Sequence, residues 1–182
     1  VLSTLIGASQ VNPDVLHFGV LGDLTFFYDM NSLGNRHVSK NLRILLVNNG
    51  RGTEFRLYMH PGEQLMGDEA DPYVAAAGHY GNQSPDLVNN YVTALGFEYL
   101  HASTKAEFSA VIDRFLTPEV TDKPMLLEVF TNSLNESDAL KTLRNLEVSR
   151  DTQAKDFARG ILGERGVKIL KKTLGKQKSV IS

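Results

Sequence analysis

The chain has 182 residues, 42% apolar and 22% charged, with a net charge of −2 at neutral pH, which suits one globular domain carrying a tail. That charge argues against bulk nucleic-acid affinity, and no apolar run approaches the roughly 18 residues of a membrane span. Without cysteine there can be no disulfide and no thiolate metal site, which fits a reducing, cytoplasmic setting, and the N-terminus lacks the basic start of a signal peptide.

In chain order, Val1 to Ala8 has apolar and small residues at helical spacing and reads as the end of a helix. Pro13-Asp14 marks a turn. "VLHFGVLG" (15–22) is apolar on both parities and reads as a buried strand. Thr25 to Leu33 reads as a helix with an aromatic face, and "NLRILLVNN" (41–49) is the clearest strand. Residues 50–85 are rich in Gly and Pro, with a short helix at Asp71 to Ala77. Asp86 to Leu95 is a helix ended by Gly96, and "FEYLHA" (97–102) a short strand. Thr104 to Leu116 is a helix, with Ser103 or Thr104 as N-cap and Glu107 placed for a capping box. "KPMLLEVFTN" (123–132) is another strand, and from Glu136 the pattern is helical, interrupted at Gly160, Gly163, Gly166 and Gly175.

Alternating apolar strands and helices predict a three-layer α/β/α fold with a mainly parallel sheet of five or six strands. The expected organisation is a folded domain over residues 1–150 and a basic helical tail over 151–182.

In such a sheet, ligands sit beyond the carboxyl ends of the strands. Two strand ends here carry matching chemistry: Gly22-Asp23, and Asn48-Asn49-Gly50-Arg51-Gly52. Twenty-four residues separate Asp23 from Asn48, enough for a crossover helix and a return strand. A carboxylate, an amide oxygen and a backbone carbonyl form a hard oxygen set that suits Mg²⁺ or Ca²⁺ rather than zinc. Mg²⁺ held by so few protein oxygens completes its shell with phosphate and water. Gly22 lets a phosphate approach the backbone, and the following helix start favours an anion. The residues therefore predict a Mg²⁺-diphosphate site. Taken singly, Gly-Asp and Asn-Asn-Gly are ordinary turn sequences; their pairing at two strand ends carries the reading.

"GD", two dozen residues, then "NN" resembles the signature of the diphosphate-binding domain of thiamine diphosphate (ThDP)-dependent enzymes. Leu24 stands where glycine is usual. With it, "LSTLIGAS", "YDMNSL", "LLVNNGRGTEF" and "KPMLLEVFTN" are similar to the 2-succinyl-5-enolpyruvyl-6-hydroxy-3-cyclohexene-1-carboxylate synthase branch, most clearly over residues 1–60. The resemblance implies Asp23 and Asn49 as side-chain Mg²⁺ ligands and the Arg51 carbonyl as a third. It implies Gly22, Leu24, Thr25 and Gly52 at the cofactor diphosphate, and Glu54 and Phe55 near the thiazolium and substrate. Arg51 departs from the branch's glycine, and Glu54 from a commonly apolar position.

The resemblance further implies that the activating glutamate lies in a pyrimidine-binding domain of the same or a partner subunit. This chain would then be the C-terminal portion of a longer enzyme, would contain no catalytic residue, and would be inactive alone. In the branch, 2-oxoglutarate is decarboxylated and transferred to isochorismate in menaquinone biosynthesis. Acetolactate synthesis or simple 2-oxo acid decarboxylation are alternatives within ThDP chemistry. A non-catalytic α/β module binding a phosphorylated ligand is the alternative outside it. An aromatic face at Phe26 and Phe27, bared by a lost covering domain, predicts a homodimer or higher assembly. His60 and His79, in loops after the motif, could approach the active-site mouth; as plain loop histidines they need no role. His101, at a strand end far from the motif, reads as structural, and His17 and His37 have no partner that the sequence names.

Overall fold

Residues 42–48 offer hardly any polar side chain, so the segment must bury both faces, and it does so in the interior of a sheet. In the computed structural model, which describes residues 1–76 and 82–146, this strand, β2 (Leu42–Asn48), lies between β1 (His17–Gly22) and β4 (Met125–Phe130). The fourth strand, β3 (Glu98–Ala102), pairs with the far side of β4, giving the order β1-β2-β4-β3 with every pairing parallel. The fold class is α/β, as expected. The sheet has four strands among the described residues, not five or six. The Gly- and Pro-rich stretch after β2 forms short helical turns: Thr53–Arg56, α3 (Pro61–Met66), Gly67–Ala70 and α4 (Asp71–Val74).

The longer helices precede or cross between the strands: α1 (Leu2–Ser9), α2 (Asp23–Asp29, running on as a 3-10 turn over Met30–Gly34), α5 (Leu87–Ala94) and α6 (Lys105–Phe115). Helix α7 (Ser133–Leu146) follows β4. Val1–Asp138 form one compact unit, and a second begins at Ala139. The tail expected over 151–182 lies outside the described residues.

Leu42, Ile44 and Leu46 of β2 alternate onto one face and meet Leu2, Ile6, Phe26, Val88 and Val92 from α1, α2 and α5. Each such buried side chain contributes about 1.5–3 kcal/mol. The other face packs Met125 and Leu127 against Phe115, with Phe108 and Ile112 of α6. Thr104 is the α6 N-cap. Its hydroxyl accepts from the Glu107 amide at 3.2 Å, and the Glu107 carboxylate accepts from the Thr104 amide at 3.2 Å, completing the capping box.

Two expectations need correction. Phe26 is fully buried and Phe27 packs against the core; of that aromatic run only Tyr28, 84% exposed, stands in solvent. The bared patch inferred from Phe26 and Phe27 is therefore not there. Strand β1 is buried on one parity only. It lies at the edge, where Phe18 meets the Phe115 ring of α6 at 5.8 Å, and Phe18 and Val20 stay 47% and 70% exposed. Strand β2 conceals a charge: the Arg43 guanidinium is fully buried and donates to the Lys40 and Leu42 carbonyls and to Thr121 Oγ1.

Candidate functional site

The parallel register sets Gly22 beside Val47 and Asn48 beside Phe130, so three strands end at one edge. Asp23, the next residue on β1, is buried and reaches across to the loop after β2. Its Oδ2 accepts from the Gly50 amide at 2.5 Å, and its Oδ1 accepts from the Leu24 amide at 2.7 Å. The turn that presents the Gly50 amide has φ of 85° at Gly50, a conformation that favours glycine. Burial pushes the Asp23 carboxyl above its ordinary value. Backbone amides of Leu24, Gly50 and Asn49 pull it down, and the charge of Glu136 adds to the rise.

Asn48 and Asn49 face different partners. Asn48 Oδ1 accepts from the Gly50 amide at 3.2 Å, while its Nδ2 donates to Glu128 Oε1 at 2.6 Å. Glu128, fully buried on β4, also accepts from the Tyr99 hydroxyl of β3 at 2.6 Å. One carboxylate thus clasps three adjacent strands just below the site. Burial raises its pKa, against the hydrogen bonds from Tyr99 and Asn48. Asn49 Nδ2 donates to Glu136 Oε2 at 2.9 Å, and Asn49 Oδ1 accepts from the Arg51 amide at 3.1 Å.

Arg51 forms a single antiparallel bridge to Ala75, an extended pairing open to any residue. Hydrogen bonds from the Gly52 amide to the Val74 carbonyl (2.7 Å) and from the Ala76 amide to the Gly50 carbonyl (2.9 Å) fix that loop. The Arg51 side chain turns away to pair with Asp71. Gly52 is buried, and a Cβ there would stand 3.0 Å from Leu24 Cδ2. The two loops after β1 and β2 therefore touch through Leu24 and Gly52. Thr25, half-buried, lies in the first turn of α2.

The remaining expected residues are less engaged. Glu54 and Phe55 are exposed in the turn at Thr53–Arg56, and Phe55 packs edge-on against His60 at 5.2 Å. His60 is the N-cap of α3, its Nδ1 accepting from the Gly62 amide at 3.0 Å, which favours the plain structural reading. His101 stacks on Tyr99. His79 lies outside the described residues. Sequence reasoning missed Glu128, Tyr99 and Glu136. A carboxylate in the middle of an apolar strand was a signal for Glu128; nothing in "TNSLNES" marked Glu136.

The donor set fits a hard cation. An ionised carboxylate has about four lone-pair sites and an amide oxygen two, so the bonds drawn above leave acceptor capacity on both Asp23 and Asn49. Among the described residues no three His, Cys, Asp or Glu side chains cluster to hold a metal, so a cation here leans on amide and backbone oxygens. A Cβ built at Gly22 meets nothing within 4 Å, so the backbone there is open to approach, while the Leu24 amide in the first turn of α2 is already bonded to Asp23. No helix among the described residues is long and apolar enough to cross a membrane.

No protein-family model matches the chain. Individual curated sequences do. It is 36% identical over 140 residues to the 2-succinyl-5-enolpyruvyl-6-hydroxy-3-cyclohexene-1-carboxylate synthase of Bacteroides fragilis, covering 77% of this chain and 23% of the relative. The synthase of that name from Bacteroides thetaiotaomicron matches to the same extent. That of Christiangramia forsetii is 33% identical over 130 residues, 71% of this chain and 20% of the relative. This chain is homologous to one segment of these synthases. It spans just under a quarter of their length, 23% in the Bacteroides proteins.

Proposed function

We propose that this chain is the part of a ThDP-dependent synthase that holds the cofactor's diphosphate through Mg²⁺. The observation that carries the reading is the Asp23–Gly50 hydrogen bond, which joins the two motif-bearing strand ends at a buried carboxylate. Homology to the synthases supports the enzyme class. Asp23 and Asn49 would supply side-chain oxygens to the metal, and the Arg51 carbonyl a third. Gly22, Leu24, Thr25 and Gly52 would line the diphosphate, with Glu54 and Phe55 toward the substrate side. When bound, ThDP supplies the carbon nucleophile and electron sink for decarboxylating a 2-oxo acid. The chain's own residues bind and orient it.

The parent activity we assign is decarboxylation of 2-oxoglutarate and transfer of the resulting carbanion equivalent to isochorismate in menaquinone biosynthesis. A pyrimidine-binding domain of the same or a partner subunit would complete the site, within a homodimer or larger assembly. Calorimetric titration of the full chain with ThDP tests the proposal. Binding that needs Mg²⁺ and is lost in Asp23→Ala is expected. ThDP binding that is indifferent to Mg²⁺ and to Asp23 would overturn it.

A further inference from the structure

We propose that Glu136, in the first turn of α7, is the positioning residue that fixes the orientation of Asn49 toward the cation, an inference that rests on the Mg²⁺-diphosphate reading above. An asparagine side chain has two chemically opposite ends, and only the oxygen can ligate a metal. Here the nitrogen end is taken: Asn49 Nδ2 donates to Glu136 Oε2 at 2.9 Å. A carboxylate accepts and cannot donate, so Glu136 discriminates between the two ends of the amide and leaves Oδ1 on the other side, where it accepts from the Arg51 amide at 3.1 Å and keeps a second lone pair.

Glu136 is in turn held. Its Oε1 accepts from the Thr131 hydroxyl, just past the end of β4, so the carboxylate is anchored to the same sheet edge that carries the site. The neighbouring residue repeats the device: Ser137 Oγ accepts from the Tyr58 amide at 3.0 Å. The first turn of α7 therefore grips the loop after β2 at both Asn49 and Tyr58. Both Asn49 and Glu136 are partly shielded from water, where a hydrogen bond to a charged acceptor is stronger than at an open surface. Residues that orient a metal ligand in this way typically change metal affinity about 10–100-fold when removed.

The experiment is a Mg²⁺ titration at fixed ThDP, read by calorimetry, on the full chain and its variants, with far-UV circular dichroism to verify folding. Glu136→Ala is expected to raise the half-saturating Mg²⁺ concentration about tenfold or more, while ThDP affinity at saturating Mg²⁺ is kept. Glu136→Gln should lose only a small part of this, because its amide oxygen still accepts from Asn49. Asn49→Asp sets two carboxylates against each other and should lose the Mg²⁺ response. Adding Glu136→Gln to it should restore the response, since the introduced amide can donate to the introduced carboxylate. Unchanged half-saturation in Glu136→Ala would overturn the proposal. So would a Glu136→Gln variant as impaired as Glu136→Ala, which would make Glu136 a ligand itself. A wild-type chain that shows no Mg²⁺-dependent ThDP binding would overturn the diphosphate reading, and this proposal with it.

Discussion

Replacing Glu128 by alanine removes the acceptor of two hydrogen bonds at once, a buried one from Asn48 Nδ2 and a part-buried one from the Tyr99 hydroxyl, each 2.6 Å long. A buried donor left without a partner costs about 1–3 kcal/mol, so the two together cost at most about 2–6 kcal/mol, less to the extent that the part-buried Tyr99 hydroxyl meets water. Removing the carboxylate also relieves the desolvation that raises its pKa, which places the expected loss in the lower half, about 2–4 kcal/mol. Tyr99→Phe deletes one donor and leaves Glu128 bonded to Asn48, so it should cost about 1–2 kcal/mol. The assay is urea denaturation followed by far-UV circular dichroism, with the double variant completing a cycle. Because both bonds converge on one group, the two losses should fall short of additive. A Glu128→Ala chain within about 0.5 kcal/mol of the wild type, the range of an ordinary surface substitution, would refute the three-strand clasp.

Three further outcomes follow from the same structure. Gly52→Ala sets a Cβ 3.0 Å from Leu24 Cδ2, the end of a flexible side chain, so its steric cost should stay within about 1 kcal/mol, and Leu24→Gly should raise the melting temperature of the alanine variant relative to its own Gly52 parent. The folded-state pKa of Glu128 is raised above its ordinary 4.5, so the folded chain binds the proton more tightly than the unfolded one. Its contribution is complete below about 4.5 and is lost as pH rises through the folded value; wild-type stability should therefore fall relative to Glu128→Gln over that window in pH-dependent urea melts. Thr104→Ala removes the side-chain half of the α6 capping box and should cost about 1 kcal/mol, read as a lower melting temperature.

Much of this organisation was legible from residue types. The β2 run has apolar residues on both parities because both faces are covered, and Thr104 with Glu107 announced the start of α6. The pairing of Asp23 with the Asn-Asn-Gly loop followed from two strand ends and a crossover of the right length, and the parallel register brings them together. What was not legible depends on partners distant in sequence. Phe18 and Val20 look like core residues because their side chains say nothing of lying at a sheet edge. Phe26 could be read as core or as subunit interface, and its burial among residues of α1 and β2 decides for core. Arg43 and Glu128 break the apolar pattern of their strands, yet only folding shows that Thr121 answers one and Tyr99 the other. Glu136 is one acidic residue in a polar helix start, and its meaning comes from Asn49, 87 residues earlier.

The most direct test of the diphosphate reading is a calorimetric titration of ThDP into the full chain with and without Mg²⁺, repeated with Asp23→Ala and with inorganic diphosphate as competitor. One site that appears only with Mg²⁺, is displaced by diphosphate and vanishes in Asp23→Ala is the predicted result. ThDP binding of equal strength without Mg²⁺ or without the Asp23 carboxylate would contradict it.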